Sequence, residues 1–90
     1  MSASNSGDPE LLEFPCEYTI KVLGRAGEDF SDWVVALIEA HGPVCFGVEA
    51  RPSKQGRFVS VNATFTAESL EQLHSIHRQL RASERVTLIL

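Results

Sequence analysis

Ninety residues with a net charge of −4, 43% of them hydrophobic and 22% charged, make one small globular domain. The negative total repels phosphate backbones and disfavours non-specific nucleic-acid binding, though it leaves room for a local basic patch. No apolar run approaches the roughly 18 residues of a membrane span, and the opening MSASNSGDPE lacks the basic and apolar regions of a secretion signal, so the expected setting is cytoplasmic with Cys16 and Cys45 reduced.

Residues 1–10 are Ser, Asn, Gly, Asp and Pro with little to bury, which predicts a disordered tail; residues 11–90 form the domain. Leu11, Leu12 and Phe14 are too few for a helix before Pro15 and are expected to dock as an arm. Residues 17–24, EYTIKVLG, read as a strand with Tyr18, Ile20 and Val22 on one face and Thr19, Lys21 and Leu23 on the other. A loop over residues 24–27 leads to a helix over 29–41. Its stripe is Phe30, Trp33, Val34, Leu37, Ile38 and His41, with Asp29 placed to cap it and Gly42-Pro43 to stop it.

Residues 44–52 predict a second strand with Val44, Phe46, Val48 and Ala50 inward. Pro52 cannot donate to a ladder and marks this strand as an edge. A hairpin loop, Ser53-Lys54-Gln55-Gly56, would pair Ala50 with Val59, Val48 with Val61 and Phe46 with Ala63. Residues 57–65, RFVSVNATF, alternate strictly: Val59, Val61, Ala63 and Phe65 form a dry face, and Phe58, Ser60, Asn62 and Thr64 a wetter one. Thr66 would then cap a second helix over residues 67–82 with the stripe Leu70, Leu73, Ile76, His77 and Leu80. The last strand, residues 85–90, places Val86, Leu88 and Leu90 inward, opposite Thr87 and Ile89.

The order is βαββαβ. Right-handed crossovers put both helices on one face of a four-stranded antiparallel sheet ordered 4-1-3-2, the ferredoxin-like α+β sandwich. In this arrangement Cys16 and Cys45 begin strands separated by a third, roughly 9.5 Å apart, too far for a disulfide.

LLEFP at residues 11–15, YTIKVLG at 18–24, the hairpin PSKQG at 52–56 followed by an aromatic residue and Ser60-Val61, and the closing RVTLIL together resemble the YbeD-like family of small bacterial proteins. The resemblance spans about residues 11–90. It implies a ferredoxin-like fold similar to regulatory ACT domains and a bacterial cytoplasmic setting. That family is one of unknown function, so no catalytic residues carry over.

No nucleophile–base pair stands out, which argues against an enzyme, and no cofactor is implied. His74 and His77, three apart on the second helix, lack the further ligands a metal needs, so no metal is expected. Gly56-Arg57-Phe58-Val59 resembles the RNA-binding signature of folds with this topology, but Phe58 stands alone where two aromatics are required. The outward residues are more informative. Lys21, Leu23, Arg51, Phe58, Ser60 and Ile89 would gather on the uncovered sheet face, with Arg51 across from Phe58 and Glu49 across from Ser60. The expectation is a non-enzymatic regulatory or adaptor domain that binds a protein partner, a second copy or a small metabolite there. The alternative is an RNA-binding module using the same face. The Leu11–Phe14 arm is a further candidate to cover the patch.

Overall fold

The computed structural model describes residues 12–27 and 29–90. The tail expected over residues 1–10 lies outside the described residues. The chain runs β1 (Cys16–Arg25), α1 (Phe30–Glu39), β2 (Cys45–Pro52), β3 (Phe58–Ala67), α2 (Leu70–Arg81) and β4 (Val86–Ile89). The strands form one antiparallel sheet ordered β2-β3-β1-β4. This is the expected ferredoxin-like sandwich, with the strand order counted from the opposite edge.

Alternation along β1 and β3 builds the core. Ile20 and Val22 of β1 and Val61, Ala63, Phe65 and Ala67 of β3 are fully buried against Phe30, Val34 and Ile38 of α1 and Leu73, Ile76 and Leu80 of α2. These are the periodic positions of each element, so burial follows the pattern of period two in the strands and 3.6 in the helices. Trp33 and Leu37 flank the cluster, partly buried, and Leu12 and Phe14 of the expected arm pack against it, while Leu11 lies outside the described residues.

The helix ends differ from expectation. Asp29 sits at the start of α1 but its side chain makes no capping bond. Its carboxylate instead takes a two-pronged hydrogen bond from the Arg85 guanidinium, Nη2 to Oδ1 at 2.6 Å and Nη1 to Oδ2 at 3.4 Å. That pair ties the start of α1 to the entry of β4, and it holds the Asp29 carboxyl below its ordinary pKa. The second helix begins after Ser69, not after Thr66. Thr66 and Ala67 pair with Glu17 and Cys16 and so extend β3. Ser69 Oγ accepts from Gln72 N at 3.0 Å, and Gln72 Oε1 reaches back to Glu68 N at 2.9 Å, a reciprocal lock on the first turn.

The two edge strands depart from strict alternation. In β2 the register slips between Cys45, opposite Phe65, and Gly47, opposite Thr64. One extra residue, Phe46, is taken up there, and Cys45 replaces it against the core. Val44 and Phe46 are 71% and 61% exposed, so the inward placement expected for them does not hold. The hairpin register is also shifted by two residues from the expected one: Pro52 faces Val59, Ala50 faces Val61 and Val48 faces Ala63. Ser53 N donates to Phe58 O at 2.8 Å and closes the loop, with Gly56 at φ +76° inside it. A slip of two keeps the side-chain parity, so Val48 and Ala50 still point to the helix side. The helices bury no β2 residue completely, however, and Val48 remains 44% exposed. In β4 a second irregularity falls between the pairs Gly24–Val86 and Leu23–Leu88, with Thr87 as the extra residue. Val86 and Ile89 then pack against the core, while Leu88 and Leu90 are 47% and 69% exposed.

Candidate functional site

The uncovered face of the sheet is assembled from alternate residues of all four strands. Across its middle runs one row: Arg51 of β2 opposite Ser60 of β3, Ser60 opposite Leu23 of β1, and Leu23 opposite Leu88 of β4. The next row is Glu49, Asn62 and Lys21, continued by Leu90, whose backbone exchanges hydrogen bonds with Lys21 in both directions at 2.8 and 3.3 Å. On the hairpin side of the first row, Phe58 faces Arg25. Farther along, Thr19 and Thr64 share a hydroxyl–hydroxyl hydrogen bond of 2.8 Å.

Five of the six residues singled out from sequence come together here: Lys21, Leu23, Arg51, Phe58 and Ser60. Their neighbours are not those expected, because the shifted hairpin register moves Arg51 from Phe58 to Ser60 and Glu49 from Ser60 to Asn62. Ile89 does not belong to the face. It stands opposite the buried Val22 and packs on the helix side. The Thr87 irregularity puts Leu88 and Leu90 in its place. Arg25 was missed because β1 runs on to Arg25, where sequence placed a loop from Gly24. The signal was there, in continued alternation after Leu23; the glycine hid it.

The result is an apolar band of Leu23, Phe58 and Leu88, with Leu90 beyond it, beside the cations Lys21, Arg25 and Arg51. Phe58 is 37% exposed and Leu23 half-buried. In a chain of net charge −4 this hairpin end of the sheet is locally basic, with Glu49 and Glu17 farther along it. Such a surface attracts a negatively charged apolar group.

Groups with chemical potential elsewhere are constrained. Both cysteines are free and half-buried. Burial and the nearby Glu39 carboxylate raise the Cys45 pKa, which keeps it a thiol, and Glu39 also accepts the Cys45 N–H at 3.0 Å. His77 lies half-buried on α2, 6.4 Å from the Tyr18 ring, with Nε2 buried and unpartnered. Burial lowers its pKa, and the positive charges of Arg81 and His74 add to the effect. Those same side chains and Arg78 line a shallow depression on α2, a setting that repels cations. Among the described residues no group of three or more His, Cys, Asp or Glu side chains converges to hold a metal ion. No helix among them is long and apolar enough to cross a membrane.

The fold is a ferredoxin-like βαββαβ sandwich whose solved neighbours include an ACT domain. Its backbone superimposes on protein HP0495 of H. pylori with a TM-score of 0.73 at 21% identity, covering 100% of this chain and 96% of that one. It matches the ACT domain of a GTP pyrophosphokinase of Chlorobium tepidum with a TM-score of 0.69 at 10% identity, covering 84% and 96%. At such identities the likeness concerns fold alone. Family membership comes from sequence: residues 9–90 match the family described as a protein of unknown function, DUF493, and the chain belongs to it. UPF0250 proteins of bacteria are its relatives. One from Pseudomonas aeruginosa is 50% identical over 86 residues, 91% of either chain, and one from Edwardsiella ictaluri is 38% identical over 81 residues, 90% of this chain and 93% of that one. The YbeD-like resemblance noted from the sequence motifs is thereby confirmed.

Proposed function

We propose that this protein is a non-enzymatic regulatory or adaptor domain that binds a protein partner on the open face of its sheet. The observation that carries this reading is the apolar band Leu23–Phe58–Leu88 beside Lys21, Arg25 and Arg51 on a face that no helix among the described residues covers. The described arm residues Leu12 and Phe14 pack against the core. An amphipathic acidic segment fits best: apolar side chains would lie on Leu23, Phe58 and Leu88, and carboxylates would meet the three cations.

The reading is tested by Phe58→Ser and Lys21→Glu. Both positions are exposed, so each variant keeps its fold within about 0.5 kcal/mol by denaturant titration. Capture of a partner from bacterial lysate should fall about tenfold or more for each, since a central aromatic anchor is worth about 2 kcal/mol or more. Undiminished capture by both variants overturns the assignment of the face. Co-purifying RNA that is lost with Phe58→Ser, and no protein, would replace the protein partner with RNA.

A further inference from the structure

Among the described residues, strand β2 leaves one edge of the sheet without a partner strand. Because the Ser53 N–H donates to the Phe58 C=O across the hairpin and the Phe58 N–H turns back to the Ser53 hydroxyl, the alternation of the antiparallel ladder turns the backbone groups of Arg51 and Glu49 toward β3. The N–H and C=O of Val48 and Ala50, with the C=O of Pro52, point away from the sheet. The Phe46 irregularity interrupts the edge on one side and Pro52 ends its donors on the other, leaving a short open window between them. On the open face of that window stand Glu49 and Arg51, neither engaged in an ion pair among the described residues. On its helix side lie Val48, 44% exposed, and the exposed Ala50 and Pro52.

We infer that this edge pairs with the same edge of a second copy of the chain, antiparallel and centred on Ala50. The occupant follows from charge complementarity across a two-fold axis. Centring the pair on Ala50 sets Glu49 of each copy opposite Arg51 of the other. Both contacts fall at non-hydrogen-bonded positions, where facing side chains come closest. Centring it on Glu49 opposes two carboxylates, and centring it on Arg51 opposes two guanidiniums. Centring it on Val48 leaves both charges facing Gly47 and Cys45 and runs into the Phe46 irregularity. Only the Ala50 register satisfies both charges. In it each Ala50 N–H donates to the other copy's Ala50 C=O, and each Val48 N–H to the other copy's Pro52 C=O. Val48 packs on Pro52 from the opposite chain beneath. The missing Pro52 donor thus costs one bond per side and fixes where pairing stops. The product is a continuous sheet through both copies. The paired segment is short and buries less than the roughly 1,200 Å² of a stable interface, so the dimer is weak and concentration-dependent.

Sedimentation equilibrium across protein concentrations up to about 1 mM, with wild type, Glu49→Arg, Arg51→Glu and the double exchange, tests this. Reversing a charge turns two attractive cross-strand pairs into repulsive ones and should weaken self-association by about 10–30-fold in either single variant. The double exchange restores it. So does mixing the two single variants, since one copy then presents two cations at these positions and the other two carboxylates. Amide spectra of each variant establish that the fold is retained. A wild type monomeric throughout, or one whose association ignores both single substitutions, overturns the proposal. So does a mixture of the two single variants that associates no better than either alone. Arg51 also belongs to the open-face cations, so the open-face partner is read separately, by the Phe58 and Lys21 variants, which leave the edge and its charge pairs intact.

Discussion

Gly24 shows how one residue can set a junction. A Cβ there would fall on the Phe30 ring and on the carbonyl oxygen of Arg85, so β1, α1 and the entry to β4 meet where only hydrogen fits. Gly24→Ala is expected to cost about 1–3 kcal/mol, read as a lowered denaturant midpoint, because the Arg85 carbonyl is backbone and cannot step aside. Gly27→Ala is the control: its nearest neighbours would be 3.8 Å away, and its effect should stay within about 0.5 kcal/mol. His77 sets a pH response. Burial lowers its folded-state pKa, with Arg81 and His74 contributing, and the Tyr18 ring packs beside it. Between that lowered value and the ordinary imidazole value of about 6.5, the unfolded chain binds more protons than the native one, so stability rises with pH. Acidification through this window should therefore destabilise the protein. In His77→Phe the slope flattens, and stability rises by about 1 kcal/mol near neutrality as the unpartnered Nε2 disappears. An unchanged pH slope in His77→Phe would assign the response to another group.

At the scale of elements, ends and edges were harder to read than centres. The α2 start is an example. Thr66 and Ser69 both precede an apolar helical pattern, and both are good caps by type. What separates them is tertiary: Thr66 pairs with Glu17 of β1, which keeps it in the strand, while Ser69 is free to bond Gln72. Ser69→Ala should cost about 1 kcal/mol, a fall of about 4–8 °C in Tm for a domain of this size, and Thr66→Ala much less. Equal losses would mean that the cap is shared. The edge strands teach the same lesson. Each holds one partner instead of two, so an extra residue at Phe46 or Thr87 disturbs a single ladder and is tolerated.

For the whole molecule, the sheet divides its labour between faces. The helix side holds every fully buried core side chain, and the open side carries the apolar band and its cations. On the proposed reading, stability and recognition are thereby separated. The Phe58 and Lys21 variants can weaken binding without loss of fold, and the Glu49 and Arg51 exchanges act at an edge that the core does not use. The acidic total charge and the basic hairpin end act in opposition. In the proposed function the first disfavours general polyanions, and the second suits a partner that presents its charge locally beside apolar groups.

Element order, topology, the buried faces of β1, β3 and both helices, and the placement of five of the six open-face residues were legible in the amino-acid pattern. Those depend on local periodicity, and a strand or helix paired on both sides must obey its own period throughout. Tertiary structure alone decided the hairpin register, the exchange of Ile89 for Leu88 and Leu90, the inward turn of Cys45 in place of Phe46, and the use of Asp29 as the partner of Arg85. Each of these turns on a contact between residues distant along the chain. A β-bulge leaves composition unchanged while reversing the face of every residue beyond it, so no local pattern records which way an edge strand finally points.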